Sequence, residues 1–420
     1  MRDDSSDGAM PEGASEAGAR VARRHVFYIP GYDPIHPRRY RELYRREGAA
    51  QAALSGYDMS QQARRGPGPY GWSVTGEMEG ATTRAEIDVL VWSDIVRRSM
   101  RSGVIATYGQ LLRTAWVYMG TGALFRLMRL RKGPVIAALY PVGALLLQLA
   151  VALLLAWGLG AVLALLHPWA GGLGLGVIPA MLWWFRKHDN RFFAYYLMHD
   201  YAFSARWRGA NPPELEARMA EFTDLIAAAL RSDVEEVLVV GHSSGAHLGV
   251  SVLADLIRAG HLPQAGPALS FLSLGQVVPM MSFLPRADRL RADLHFLSAR
   301  EDIAWVDVTA PGDGCAFALC DPVAVSGVAP PAKRGPLVLS AAFTHTLSPA
   351  RWKALRWRFF RLHFQYLCAF DRPGAYDYFR ITAGPQTLAQ RFAGRRASAS
   401  RIETPVNRYT SHAGAGDDIA

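Results

Sequence analysis

Apolar side chains recur along this chain with two periods, interrupted by one long stretch that has no period at all. Short runs rich in β-branched and aromatic residues predict strands: HVFYIP (25–30), EIDVLVW (86–92), VEEVLVVG (234–241), LSFLSLG (269–275), IAWVDVT (303–309) and PLVLSAAF (336–343). Helical spacing appears between them. Residues 37–54 read as one helix, and Pro212-Pro213-Glu214 opens another that runs to about Arg231. In the second, Leu215, Met219, Phe222, Ile226 and Leu230 share a face. The segment SGAHLGVSVLADLIRAG after the 234–241 strand is a third. Continuous apolar strands alternating with helices predict an α/β fold, with a mostly parallel sheet covered on both faces.

The aperiodic stretch changes the picture. From Gly133 to Phe185 the chain carries no Asp, Glu, Lys or Arg. One bilayer crossing takes about 20 apolar residues, so the stretch holds two crossings and not three. The turn falls at Gly158–Gly160 or at His167–Gly172. The second position keeps His, Pro and paired Gly out of a helix centre, and gives spans near 143–166 and 169–186. Arg126, Arg129, Arg131 and Lys132 precede the stretch and Arg186, Lys187 and His188 follow it, which puts both ends in the cytoplasm. Tyr140, Trp183 and Trp184 fit as interfacial anchors. An even number of crossings also lets the strands at 25–30 and 236–240 share one sheet. Residues 104–130, a mixture of leucines, aromatics and arginines, fit an interfacial helix and a helix packed on the soluble domain equally well.

The expected organisation is therefore a tail (1–22), a first domain segment (23–132), a membrane hairpin (133–186), a second domain segment (187–393) and a polar tail (394–420). Both tails read as disordered. The acidic, small N-terminal residues contain no apolar core of a secretory signal.

Half the residues are hydrophobic and the net charge is +10. The arginines occur in scattered pairs (Arg23–Arg24, Arg38–Arg39, Arg45–Arg46, Arg97–Arg98) with no finger, homeodomain or RNA-binding signature. The charge thus points to an anionic membrane surface and away from nucleic acid. Three cysteines, Cys315, Cys320 and Cys368, lack metal-ligand spacing, and no phosphate loop or dinucleotide fingerprint appears. No metal or cofactor is expected. Oligomeric state stays open, since the glycine-rich second span could pack on another helix.

Candidate chemistry centres on GHSSG, Gly241 to Gly245. The five residues alone are a weak signal, but their setting meets the demands of a nucleophile elbow. A buried strand delivers Ser243, a helix leaves it, and Gly241 and Gly245 are small where strand and helix approach closely. In this setting the chain resembles the α/β-hydrolase superfamily of lipases and esterases, over roughly residues 25–93 and 190–370, in a membrane-associated bacterial form. The resemblance implies an acid and a histidine after the serine. Asp313, in the turn Ala310-Pro311-Gly312-Asp313-Gly314 after the penultimate strand, is the favoured acid. Asp307 and Asp321 are weaker, and Asp302 competes if LHFLS (294–298) is the penultimate strand. His363 is the favoured histidine, with His345 as alternative; His242 is expected to be structural. The implied oxyanion hole takes the N–H of Ser244 and one from the loop after the first strand, assigned to Tyr32, with Asp33 turned into its own loop. The expected activity is a membrane-anchored serine esterase facing the cytoplasm from the inner membrane, cleaving a lipid or other acyl ester through an acyl-enzyme on Ser243. The alternatives are an acyltransferase using the same serine and a catalytically silent membrane scaffold.

Overall fold

The computed structural model describes residues 20–412 except 65 and 67, so most of the N-terminal tail lies outside the described residues. Eight strands form one sheet: β1 (Arg23–Ile29), β2 (Asp58–Ala63), β3 (Gly71–Met78), β4 (Ala81–Val89), β5 (Glu236–His242), β6 (Ala268–Leu274), β7 (Ile303–Thr309) and β8 (Leu337–Ser340). Their order is β2-β3-β4-β1-β5-β6-β7-β8. The β2–β3 and β3–β4 pairs are antiparallel, and every pair from β4–β1 to β7–β8 is parallel. The fold is α/β, with helices on both faces of a mostly parallel sheet.

Strand alternation separates two cores. On β1, Val26 and Tyr28 face helix Arg38–Ser55 and the aromatic residues Tyr366, Phe370, Tyr376 and Phe379. Phe27 and Ile29 face the other way, onto helices Pro213–Leu230 and Gly245–Arg258. Ala246, Leu248, Val250, Val252, Leu253 and Leu256 of the latter helix are wholly buried. Each of the larger ones contributes about 1.5–3 kcal/mol by leaving water.

Several expectations need correction. Strands β2 and β3 were not anticipated, and the strand expected at 86–92 runs from Ala81 to Val89 because its polar first half pairs with β3. LHFLS lies in helix Asp288–Ser298 and is no strand. Residues 394–412 are not a free tail. Ser398 donates its N–H to the Val338 carbonyl, Ile402 bridges Cys320, and the Ser411 carbonyl accepts from the Arg291 guanidinium. At the other end, Val21 is buried and donates to the Pro385 carbonyl, so the N-terminal tail ends before residue 22.

In the apolar stretch, one helix, Lys132–Ala164, is the only one among the described residues long and apolar enough to cross a bilayer. Its 33 residues span about 50 Å. It begins well before the expected residue 143, carrying Pro141 within it. Much of its surface is bare: Leu147 and Leu154 are each 66% exposed and Trp157 is 75% exposed. The expected second span is not a single α-helix. His167 caps a 3-10 segment, Pro168–Gly176, and only Val177–Lys187 is α-helical. Gly171, Gly172, Gly174 and Gly176 explain this, being poor helix formers. They also permit close return packing: a Cβ on Gly174 would lie 2.4 Å from the Ala156 carbonyl oxygen. Residues 104–130 form two helices, Val104–Gly120 and Ala123–Leu130, in place of one, and the first is partly packed on the fold. Leu111, Val117 and Tyr118 are buried, while Ile105, Leu112 and Trp116 are exposed.

Candidate active site

Parallel pairing of β1 with β5 sets Ile29 opposite Gly241, so the loops that follow both strands leave the same sheet edge side by side. Open α/β sheets bind ligands at this carboxyl edge. The elbow after β5 is strongly constrained. Ser243 has φ 58°, a left-handed conformation that costs an ordinary side chain roughly 1–2 kcal/mol. Its N–H donates to the Leu274 carbonyl at 2.9 Å. A Cβ on Gly245 would stand 2.1 Å from the Ile29 carbonyl oxygen, and one on Gly241 would stand 2.7 Å from the Gly245 carbonyl oxygen. Only glycine fits at either place. Ser243 is half-buried, and its hydroxyl has no hydrogen-bond partner among the described residues. The 14-residue helix Gly245–Arg258 begins beside it and directs its positive end toward the serine.

β7 ends at Thr309, and the turn after it is closed by the Asp313 N–H on the Ala310 carbonyl at 2.9 Å. Asp313 is buried. Its Oδ2 accepts from His363 Nδ1 at 2.7 Å and from the Tyr366 hydroxyl at 3.0 Å, and its Oδ1 accepts from the Cys315 N–H at 2.9 Å. Burial alone opposes ionisation, but the neighbouring His363 and the three donors outweigh it and hold the carboxyl below its usual range. With Nδ1 donating to Asp313, the neutral imidazole keeps Nε2 free as a base.

His363 reaches the elbow through two neighbours. The buried His242 ring lies 4.8 Å from it, and His242 Nε2 donates to the His363 carbonyl at 2.9 Å. Burial first, then His363, push His242 down to about 3, so it stays neutral and acts as a positioning residue. A Cβ on Gly275 would stand 3.1 Å from His363 Cε1. Gly275 directly follows Leu274, whose carbonyl holds the Ser243 N–H. Serine, imidazole and carboxylate therefore gather at adjoining strand ends.

The competing candidates lie elsewhere. His345 is exposed on the short helix Phe343–Thr346. Asp307 is buried within β7, accepts from the Ser273 hydroxyl at 2.6 Å, and is pushed by burial up to about 8. Asp321 caps helix Pro322–Val325 and pairs with Lys333 at 2.6 Å; Asp302 pairs with Arg300 on the surface.

The loop after β1 abuts the serine. A Cβ on Gly31 would come within 2.9 Å of Ser243 Cβ and 3.3 Å of its Oγ. Neither the Tyr32 nor the Ser244 N–H donates to another group among the described residues, which leaves both available to an oxyanion. The loop is fixed by Trp92 Nε1 on the Pro30 carbonyl at 2.9 Å and by the Tyr196 hydroxyl on the Tyr32 carbonyl. Asp33 turns away as expected, accepting from the Ile35 N–H at 2.9 Å and from the Tyr40 hydroxyl at 2.7 Å.

Three residues escaped the sequence reading. Tyr366 and Tyr196 make the contacts just described. Asp200, on helix Ala194–Arg206, is pushed by burial up to about 7, with the His363 charge pulling it back. The one signal for it is local: Tyr196 and Asp200 are four apart on one helix face. Cys315 Sγ lies within 4.8 Å of the Asp313 and His363 ligand atoms, a cluster that could hold a metal. Burial pushes its thiol well up, however, and the other two groups are bonded to each other. Hydrogen bonding thus favours acid–base use of the pair over ligation. Compared with known proteins, the chain matches no family model, no curated protein and no solved structure.

Proposed function

We propose that this protein is a membrane-anchored serine hydrolase of the α/β-hydrolase kind, cleaving a lipid or other acyl ester at the cytoplasmic face of a membrane. The observation that carries this reading is the buried His363–Asp313 pair, 2.7 Å apart, at the sheet edge where Ser243 is held with φ 58°. A strained serine with a free hydroxyl is costly to maintain, and strain of this kind clusters at functional sites.

In the proposed reaction His363 Nε2 takes the Ser243 proton as Oγ attacks the ester carbonyl. Asp313 fixes the tautomer and stabilises the imidazolium, while the N–H groups of Ser244 and Tyr32 receive the oxyanion. The protonated imidazole then gives its proton to the leaving alcohol, and water cleaves the acyl-enzyme by the reverse path.

Membrane attachment is supported by the bare leucine surface of Lys132–Ala164 and by the length of the return leg. Nine 3-10 residues and eleven α-helical ones rise together by about 34 Å, enough for the hydrocarbon core. Basic flanks at Arg131, Lys132, Arg186 and Lys187 favour a cytoplasmic domain. The test is hydrolysis of a series of acyl esters by purified protein in detergent. Turnover that Ser243→Ala abolishes supports the proposal; no turnover of any chain length by the wild type contradicts it.

A further inference from the structure

The acid-bearing turn lies directly against the beginning of the apolar helix. A Cβ on Gly133 would stand 3.3 Å from Gly314 Cα, one residue after Asp313. Between them opens a cavity of about 360 Å³, walled by Arg131, Pro134, Asp313, Trp352, Trp357 and Phe359 among others. Its far wall belongs to the segment Arg351–Arg361, RWKALRWRFFR, which contains four arginines, one lysine and no acid. Lys353, Arg356, Arg358 and Arg361 are exposed, and none pairs with a carboxylate among the described residues. Trp357 is 72% exposed and Phe359 46% exposed, with Arg356 stacked over the Trp357 ring at 5.6 Å.

Unpaired cations interleaved with bare aromatic rings suit a headgroup layer, where the rings enter the interface and the cations meet phosphate. The segment also continues a surface that already carries the basic flank of the apolar helix, since Arg131 and Trp357 line the same cavity.

We propose that residues 351–361 are a second membrane contact, which binds anionic lipid headgroups and holds the cavity beside Asp313 against the bilayer. The contact rests on the proposed membrane attachment and adds a lipid preference to it. The catalytic His363 follows two residues later, so docking of this segment would couple bilayer composition to the site.

The test uses full-length protein reconstituted in phosphatidylcholine vesicles, with or without about one-third phosphatidylglycerol. Trypsin cleavage after Arg356, Arg358 and Arg361 is followed by mass spectrometry, relative to cleavage after Arg334. That exposed reference residue donates its N–H to the Ser298 carbonyl, at the opposite edge of the sheet. The anionic lipid is expected to slow relative cleavage of the segment roughly fivefold or more, with raised salt and Trp357→Ala each reversing most of it. A relative rate independent of lipid composition overturns the proposal. Carbonate extraction separates the two readings. Release of the protein by carbonate refutes the membrane span, whereas lipid-dependent protection can survive that result.

Discussion

Gly245 at the elbow and Gly143 in the apolar helix sit in opposite surroundings. At the elbow a Cβ on Gly245 has no room, because the Ile29 carbonyl oxygen would lie 2.1 Å away. Around Gly143, in helix Lys132–Ala164, there is nothing within 4 Å of the corresponding position. The first region is shaped wholly by contacts within the chain, and every buried polar group of its acid has a named partner. The second presents leucine and tryptophan outward, and its shape is completed by whatever surrounds it. A site that needs sub-ångström placement is built in the first kind of region; an anchor needs only length and apolar surface.

The largest expected effect separates chemistry from surface. His363→Ala should lower ester turnover on the order of a hundred-thousandfold to a millionfold, while His345→Ala, on the exposed helix, leaves it within about twofold. Equal losses in steady-state kinetics would remove His363 from its proposed role. Next comes a pair of matched substitutions. Gly245→Ala should cost about 4 kcal/mol or more, or prevent folding, whereas Gly143→Ala should be neutral or stabilise the helix by up to about 1 kcal/mol. Thermal melts of the two proteins in detergent check this, and similar melting points would erase the comparison. Leu154→Arg should oppose membrane insertion by roughly 2.5–3.5 kcal/mol, read as carbonate-extractable protein, yet leave activity in detergent near that of the wild type.

The smallest effect concerns Asp200. The Asp200 carboxylate and the His363 charge attract each other, so Asp200→Asn should move the acid limb of the pH–rate profile to lower pH. The sign for stability follows from its folded value, about 7, against the usual carboxylate value of 3.8. The contribution of this group is greatest at low pH and declines as pH rises between those values, and the variant should flatten that decline. An unmoved acid limb in the pH–rate profile would place Asp200 outside the electrostatic reach of the site.

Legibility in the sequence follows the same division. The elbow could be read because its requirements are local: an apolar strand, small residues two positions either side of a serine, and a helix. Asp313 was favoured for its Gly- and Pro-bounded turn, and the structure sets it against His363. His363 was favoured for its aromatic surroundings, but the bond from the neighbouring Tyr366 to Asp313 is visible only in the structure. Strand β2, DMSQQA, has almost no apolar residue, because it is an exposed edge whose pairing with β3 is set by the hairpin and not by burial. Residues 394–412 look like a solvated tail, since only distant partners such as Val338 and Arg291 hold them. Asp200 lies on a helix that follows the apolar stretch, and its four-residue spacing from Tyr196 gives no hint of its electrostatic coupling to His363. The return leg showed its apolar character in the sequence, but its glycines substitute a 3-10 segment for the expected helix.

Covalent labelling tests whether Ser243 is the nucleophile. Full-length protein in detergent is treated with a fluorophosphonate, digested, and mapped by mass spectrometry. One adduct is expected, on Ser243 within the peptide carrying GHSSG, formed by the wild type and suppressed in both Ser243→Ala and His363→Ala. An unlabelled wild type, or an adduct that persists on another residue in Ser243→Ala, would contradict it.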